Sequence, residues 1–336
     1  MVDVYTTCPS SHQWTPAEFR QRMTDVARWT EAAGCRGLLV YTDNTLVDPW
    51  AAAQYMIERT ETLVPLVAVQ PVYTHPFTVA RMISTIGFVH GRMVDLNLVT
   101  GGFTEHLRAL GCVLDHDERY DRLIEYGKVI RRLLTAAKPV THLGDFYGLN
   151  GASVTPALPP ELFPRIFVSG SSEACQDAQQ ALRATRLSYP RAIDEYRGDS
   201  RALDGTGIRL GIIARDTAAE AWAVAHRRFP SDEMGERLHD VAAGVVESQW
   251  HQKLSADAQT ATPSDSIYWL YPFRTYKTFC PYLVGTYDEV ADLLARYLDL
   301  GVATFILDVP TEEDDLHHAT IALRRAHDLA AMIVEG

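Results

Sequence analysis

Phe167-Val168-Ser169-Gly170-Ser171-Ser172-Glu173-Ala174 holds one whole fold unit in miniature. An apolar run ends at Ser169, Gly170 lets the backbone turn tightly, and two serines stand where a helical pattern opens at Glu173. A strand stops, and a helix starts. Exposed N–H groups and hydroxyls at such a start suit a phosphate, although a plain serine N-cap would read the same way.

The same unit recurs on both sides. Strand-like apolar runs fall at 3–7, 37–42, 63–70, 92–100, 165–169, 209–214 and 303–308, with a poorer one at 185–189. Helical patterns fill the gaps at 16–33, 49–59, 76–90, 117–134, 173–184, 218–228, 288–300 and 313–334, several opening on proline or an acidic residue. Such alternation builds βα units on a parallel sheet. Eight strands in 336 residues fit a (β/α)₈ TIM barrel better than a doubly wound sheet, because barrels tolerate insertions in their loops. Two stretches break the alternation. Residues 135–164, after strand four, are rich in Gly and Pro and read as a long loop. Residues 229–281, after strand seven, are helical at first and then polar and aromatic, with Tyr268, Trp269, Tyr271, Phe273 and Tyr276. Long excursions of this kind are often lids. The absence of a repeat or clean linker points to a single domain over 1–336.

Composition excludes several classes. A net charge of −12 without a Lys/Arg cluster argues against nucleic acid or an anionic membrane as partner. Five scattered cysteines without a CxxC pair fit reduced thiols. No basic segment followed by an apolar one opens the chain, and no apolar run approaches the roughly 20 residues a bilayer crossing needs, so a cytoplasmic location is expected. Twelve histidines show no tight ligand spacing, so no metal is expected. GxGxxG, Walker and GxSxG motifs are all missing.

What remains is a ring of polar residues at strand ends, where a barrel binds ligands: Thr42-Asp43, Gln70, Asn97 with Thr100, Ser169 to Ser172, and Arg215. Ordinary capping would also place polar groups there. A second helix opening lies at Leu114-Asp115-His116-Asp117-Glu118-Arg119-Tyr120. His116 and Tyr120 are four apart and share a helix face, so both rings could bond a phosphate. The alternative is a cap at Asp115 or Asp117 with Tyr120 packed on the barrel.

In this order and spacing, Asn97-Leu98-Val99-Thr100-Gly101, Leu114 to Tyr120, Phe167 to Ala174, GIRLGIIARDTAAEAW at 207–222, and Leu283-Val284-Gly285 with its following helix and strand resemble the luciferase-like flavin monooxygenases. The alkanesulfonate monooxygenase branch is nearest. The resemblance covers most of the chain. It implies a barrel that binds FMN, with phosphate at Gly170, Ser171, Ser172, His116 and Tyr120, and isoalloxazine near Asn97, Thr100, Gln70 and Asp43. It further implies reduced FMNH₂ from a separate NAD(P)H:flavin reductase, activation of O₂ as a C4a-peroxyflavin, oxidation of a small-molecule substrate, and a homodimer or homotetramer. A deazaflavin F420 hydride-transfer enzyme and an inactive flavin-binding barrel are the rival implications.

The chain also departs from that branch. Leu46 stands near the branch's cysteine after strand two, and Gly211 replaces a histidine two residues after Arg209. The lid arginine falls near Arg274, Tyr276 or Lys277. Desulfonation is therefore not expected, and the lid's aromatic residues suggest an apolar substrate portion. Arg209 could hold an anion or stabilise oxygen-derived charge, or could face solvent at a strand edge. His12, after strand one, is the acid–base candidate, with a solvated loop histidine as its alternative. Arg274 completes the catalytic candidates.

Overall fold

A computed structural model describes residues 2–243, 249–263 and 266–335. The strands are β1 (Asp3–Thr7), β2 (Gly37–Val40), β3 (Val64–Val69), β4 (Asp95–Leu98), β5 (Val140–Leu143), β6 (Gly148–Ala152), β7 (Ile166–Ser169), β8 (Thr185–Ser188), β9 (Gly207–Arg215), β10 (Tyr268–Trp269), β11 (Tyr282–Thr286) and β12 (Thr304–Leu307). The helices are α1 (Pro16–Ala32), α2 (Pro49–Ile57), α3 (Pro76–His90), α4 (Thr104–Ala109), α5 (His116–Thr135), α6 (Glu173–Leu182), α7 (Ala218–Arg228), α8 (Glu233–Ala243), α9 (Gln249–Ala258), α10 (Tyr271–Arg274), α11 (Tyr287–Asp299) and α12 (Glu313–Glu335). Strand order runs β12-β1-β2-β3-β4-β7-β8, and β9 pairs with both β8 and β12. That order closes a ring of eight. The fold is a (β/α)₈ barrel.

The chain divides into two compact units, one of residues 8–28 and 37–186, the other of 1–7, 29–36 and 187–336. In the first, β2, β3, β4 and β7 run parallel. Val67, Val69, Leu96, Leu98, Ile166 and Val168 share one apolar cluster with residues of α3, α5 and α6. A strand alternates sides, so Ala68, Gln70, Asn97, Phe167 and Ser169 face away from those helices. Polar groups sit on that other face because the helix-facing positions are given to Val, Ile and Leu.

In the second unit β9 does two jobs. Its first half pairs with β12 and β8, while Gly211–Arg215 pairs with β11. Ile208, Leu210 and Leu307 pack with α11 and α12, which turns Arg209 and Asp308 to the opposite face. Strand β11 is an addition outside the ring, not visible as a strand in the sequence pattern.

The stretch at 135–164 is not a plain loop. It carries the antiparallel hairpin β5–β6 and a short 3₁₀ turn at Pro160–Leu162. Only one residue of β5 is buried, so the hairpin lacks the apolar run that marks a strand. The excursion at 229–281 holds α8, α9, β10 and α10, and its residues 244–248 and 264–265 lie outside the described residues. Among the described residues, no helix is long and apolar enough to cross a membrane, and no group of three or more His, Cys, Asp or Glu could hold a metal.

Candidate active site

The first unit brings the two helix openings together. Tyr120, one turn into α5, donates from its hydroxyl to the carbonyl oxygen of Ser169 at 3.2 Å. That hydroxyl also interacts with the side chains of Thr100, Ser172 and Cys175. Burial, then the neighbouring Cys175, pushes the phenol's pKa up, so it remains a neutral donor. Gly170, at φ 147°, completes the junction: a Cβ there would collide with the Tyr120 hydroxyl. The absent side chain lets the two openings approach.

The capping reading of each opening holds. Ser172 is the N-cap of α6, its Oγ accepting from Cys175 N at 3.3 Å, and it is also buried at the junction. Asp115 caps α5 in a reciprocal box with Glu118. His116 and Tyr120 share a face, with ring centroids 5.2 Å apart, while His116 Nδ1 lies 2.6 Å from Asp117 Oδ1. Ser171 is half-buried beside them. The N-terminus of α6, a buried neutral phenol and a side-chain-free turn fit a phosphate group.

On the strand face, Ser169 Oγ donates to Asn97 Oδ1 at 2.8 Å. This bond turns the Asn97 oxygen toward β7. Gln70 and Thr100 are buried at the same ends of β3 and β4.

A second polar group lies after the first four barrel strands. Thr45 Oγ1 is 2.6 Å from Asp43 Oδ1 and 3.0 Å from His12 Nε2. His106 Nδ1 stands 3.7 Å from Asp43 Oδ2. Asn44 donates to the His106 carbonyl and accepts from Tyr73. Thr45, Asn44, His106 and Tyr73 had no signal in the sequence, since their partners come from separate loops.

In the second unit Arg209 is 7% exposed, which removes the solvent-facing alternative. Its guanidinium donates to Asp308 Oδ1 at 2.8 Å and to Tyr189 Oη at 3.2 Å. Asp308 Oδ2 accepts from Thr278 at 2.5 Å and from Tyr282 at 2.9 Å. Burial raises the Asp308 pKa, but Arg209 and these donors outweigh it and hold the carboxyl below its usual range. The arginine's charge is thus largely spent on Asp308. Gly211 has no side chain because the ring of Tyr282 fills the space a Cβ would need. Asp308 was discoverable, as the polar residue ending the apolar run Thr304–Leu307.

The lid candidates are engaged inside the excursion. Arg274 pairs with Glu236 at 2.9 Å and donates to the Ala261 carbonyl at 2.7 Å. Lys277 pairs with Asp232 at 2.5 Å, and the Tyr276 ring lies 4.7 Å from that of His239.

Strand order makes the fold a parallel barrel, and the two helix openings that meet at Tyr120 and Ser169 fit a phosphate group. Residues 4–304 match the family described as luciferase-like monooxygenase, and the chain belongs to that family. It is 34% identical over 330 residues to 4-(γ-L-glutamylamino)butanoyl-[BtrI acyl-carrier protein] monooxygenase BtrO of Niallia circulans, covering 95% of this chain and 96% of that one. The EDTA monooxygenase EmoA of Chelativorans sp. BNC1 shares the fold, with TM-score 0.73, 13% identity, and coverage of 98% and 94%. An F420-dependent secondary alcohol dehydrogenase does too, at TM-score 0.65, 16% identity, and coverage of 97% and 99%.

Proposed function

We propose that the chain is an FMNH₂-dependent monooxygenase acting on a small acyl group carried as a thioester on an acyl-carrier protein. The observation that carries the cofactor reading is the meeting of Tyr120, Gly170 and Ser172 at two helix openings. Such a junction suits a single phosphate. The acidic first turn of α5, with Asp117 and Glu118, disfavours the longer anionic tail of F420. The substrate class rests on the BtrO likeness, which runs the length of both chains.

Bound FMNH₂ would supply the activation of O₂. The residues here would do the rest. Ser171, Ser172 and His116 would hold the phosphate, toward which the Tyr120 hydroxyl would turn from the Ser169 carbonyl, and Asn97, Gln70 and Thr100 would meet the ring's polar edge. His12 moves a proton at the substrate. Arg209, fixed by Asp308 and Tyr189, would act as a positioned hydrogen-bond donor and not as a free charge. The excursion at 229–281 excludes water as a lid, braced by Arg274 on Glu236. A separate NAD(P)H:flavin reductase delivers the reduced flavin to a cytoplasmic homo-oligomer.

The test is to incubate the protein with FMN, NADH, a flavin reductase, ¹⁸O₂ and butanoyl thioesters of a phosphopantetheinylated carrier protein. Incorporation of one labelled oxygen atom into the acyl group is expected. Peroxide release with every acyl thioester, and no labelled product, would overturn the proposal.

A further inference from the structure

The loops after the first two barrel strands place a hydroxyl between a carboxylate and an imidazole. Thr45 has one hydroxyl proton and two neighbours that could take it. The carboxylate wins. Asp43 Oδ1 lies at 2.6 Å, against 3.0 Å for His12 Nε2, and a charged acceptor makes the stronger bond. Asp43 Oδ1 also accepts from Thr45 N at 2.8 Å, which fixes the carboxylate to the same residue. With its proton committed, Thr45 Oγ1 can only accept from His12.

We propose that Thr45 and Asp43 position His12 for acid–base work. In this arrangement neutral His12 carries its hydrogen on Nε2, and Nδ1 is the atom that meets substrate. This inference rests on the acid–base reading of His12 above. It also reassigns Asp43 from flavin contact to positioning residue.

The proton balance is simple. Nδ1 takes a proton from the substrate and the ring becomes an imidazolium. Its Nε2–H still donates to Thr45, whose hydroxyl still donates to Asp43. The carboxylate stays ionised and steadies the new positive charge, and the proton later returns from Nδ1. No proton crosses Thr45. The same division of labour, with an ionised carboxylate orienting an imidazole, serves acyl-transfer triads. Here a threonine is inserted between them.

The surroundings hold the carboxylate in place. His106 faces its other oxygen at 3.7 Å, and the Tyr73 hydroxyl is tied to neighbouring Asn44. Burial and then Asp43 push the Tyr73 pKa up, so that phenol adds no charge. His106 and Tyr73 are thus titratable neighbours of the Asp43 loop.

Nitrogen-15 NMR of histidine-labelled full-length protein tests this without substrate, with the His12 signals assigned by their loss in His12→Gln. Above the ring's titration, wild type should show a protonated Nε2 and a bare Nδ1. Thr45→Val should move the ring toward the tautomer mixture of free histidine, and Thr45→Ser should restore the wild-type pattern. In the carrier-thioester assay Thr45→Val should lower kcat about tenfold with KM unchanged, and Thr45→Ser should stay within about twofold. A hydrogen on Nδ1 in wild type, or a ratio that Thr45→Val leaves unmoved, overturns the arrangement. The expected tautomer together with undiminished turnover in His12→Gln overturns the acid–base role alone, so the two failures are distinct.

Discussion

The Tyr120 hydroxyl donates to the Ser169 carbonyl across 3.2 Å, joining the first turn of one helix to the strand end that precedes another. Forty-nine residues separate them in sequence. The bond ties two helix openings together, and Gly170 between them has no room for a side chain.

Gly170→Ala should therefore lose cofactor before it loses the fold. The new methyl meets the Tyr120 hydroxyl, and φ 147° strains any L residue there. We expect FMN affinity to fall at least about tenfold, with about 1–3 kcal/mol of stability lost to overpacking. Tyr120→Phe removes the hydroxyl that bonds Ser169 and would turn to the phosphate, and should weaken FMN about five- to tenfold, close to one hydrogen bond. Fluorescence titration with FMN and urea unfolding measure both.

The buried pair Arg209–Asp308 gives the largest expected stability change. Side-chain exposures are 8% and 10%, so removing one partner strands the other away from water. Asp308→Ala should cost about 3–5 kcal/mol in urea unfolding. Arg209→Met should cost a similar amount. The double variant should lose clearly less than the two single losses together, because the second change removes a charge already stranded.

Acid should act through Asp308 and Asp315. Burial raises both carboxyls, but Arg209 and Arg228 with their hydrogen bonds more than offset it, so both folded-state pKa values lie below the unfolded ones. A depressed carboxyl stabilises the fold fully above its unfolded pKa, about 4, and loses that contribution as pH falls through the folded value. The melting temperature should stay level from neutrality to about pH 5 and drop below about pH 4. Asp308→Asn should start lower and fall less steeply. Calorimetry over that range checks the sign.

Gly211→Ala tests why that position lacks a side chain. The ring of Tyr282 fills the space, so the methyl should cost about 1–3 kcal/mol. Pairing Gly211→Ala with Tyr282→Leu should recover part of the loss relative to the sum, read by chemical denaturation.

The barrel was legible because its strands are short apolar runs between amphipathic helices. The helices Pro76–His90 and Ala218–Arg228 lie at the residues their helical patterns span, the first opening on its proline. The hairpin β5–β6 and strand β11 were not, since a half-exposed hairpin lacks an apolar run, and Leu283-Val284-Gly285 carries too short an apolar run to mark a strand by pattern alone. At the site, the residues within each helix opening could be read from spacing. Partners from separate segments could not. Asp308 for Arg209, Glu236 for Arg274 and Thr45 for His12 are contacts made only after the chain has folded.

The central claim is that the Tyr120–Gly170–Ser172 junction grips a flavin phosphate. Parallel titrations with FMN and with riboflavin, which lacks only that phosphate, address it most directly. The account predicts that FMN binds at least about tenfold more tightly than riboflavin in wild type, and that Gly170→Ala erases the difference. Equal affinity for the two flavins in wild type would contradict it.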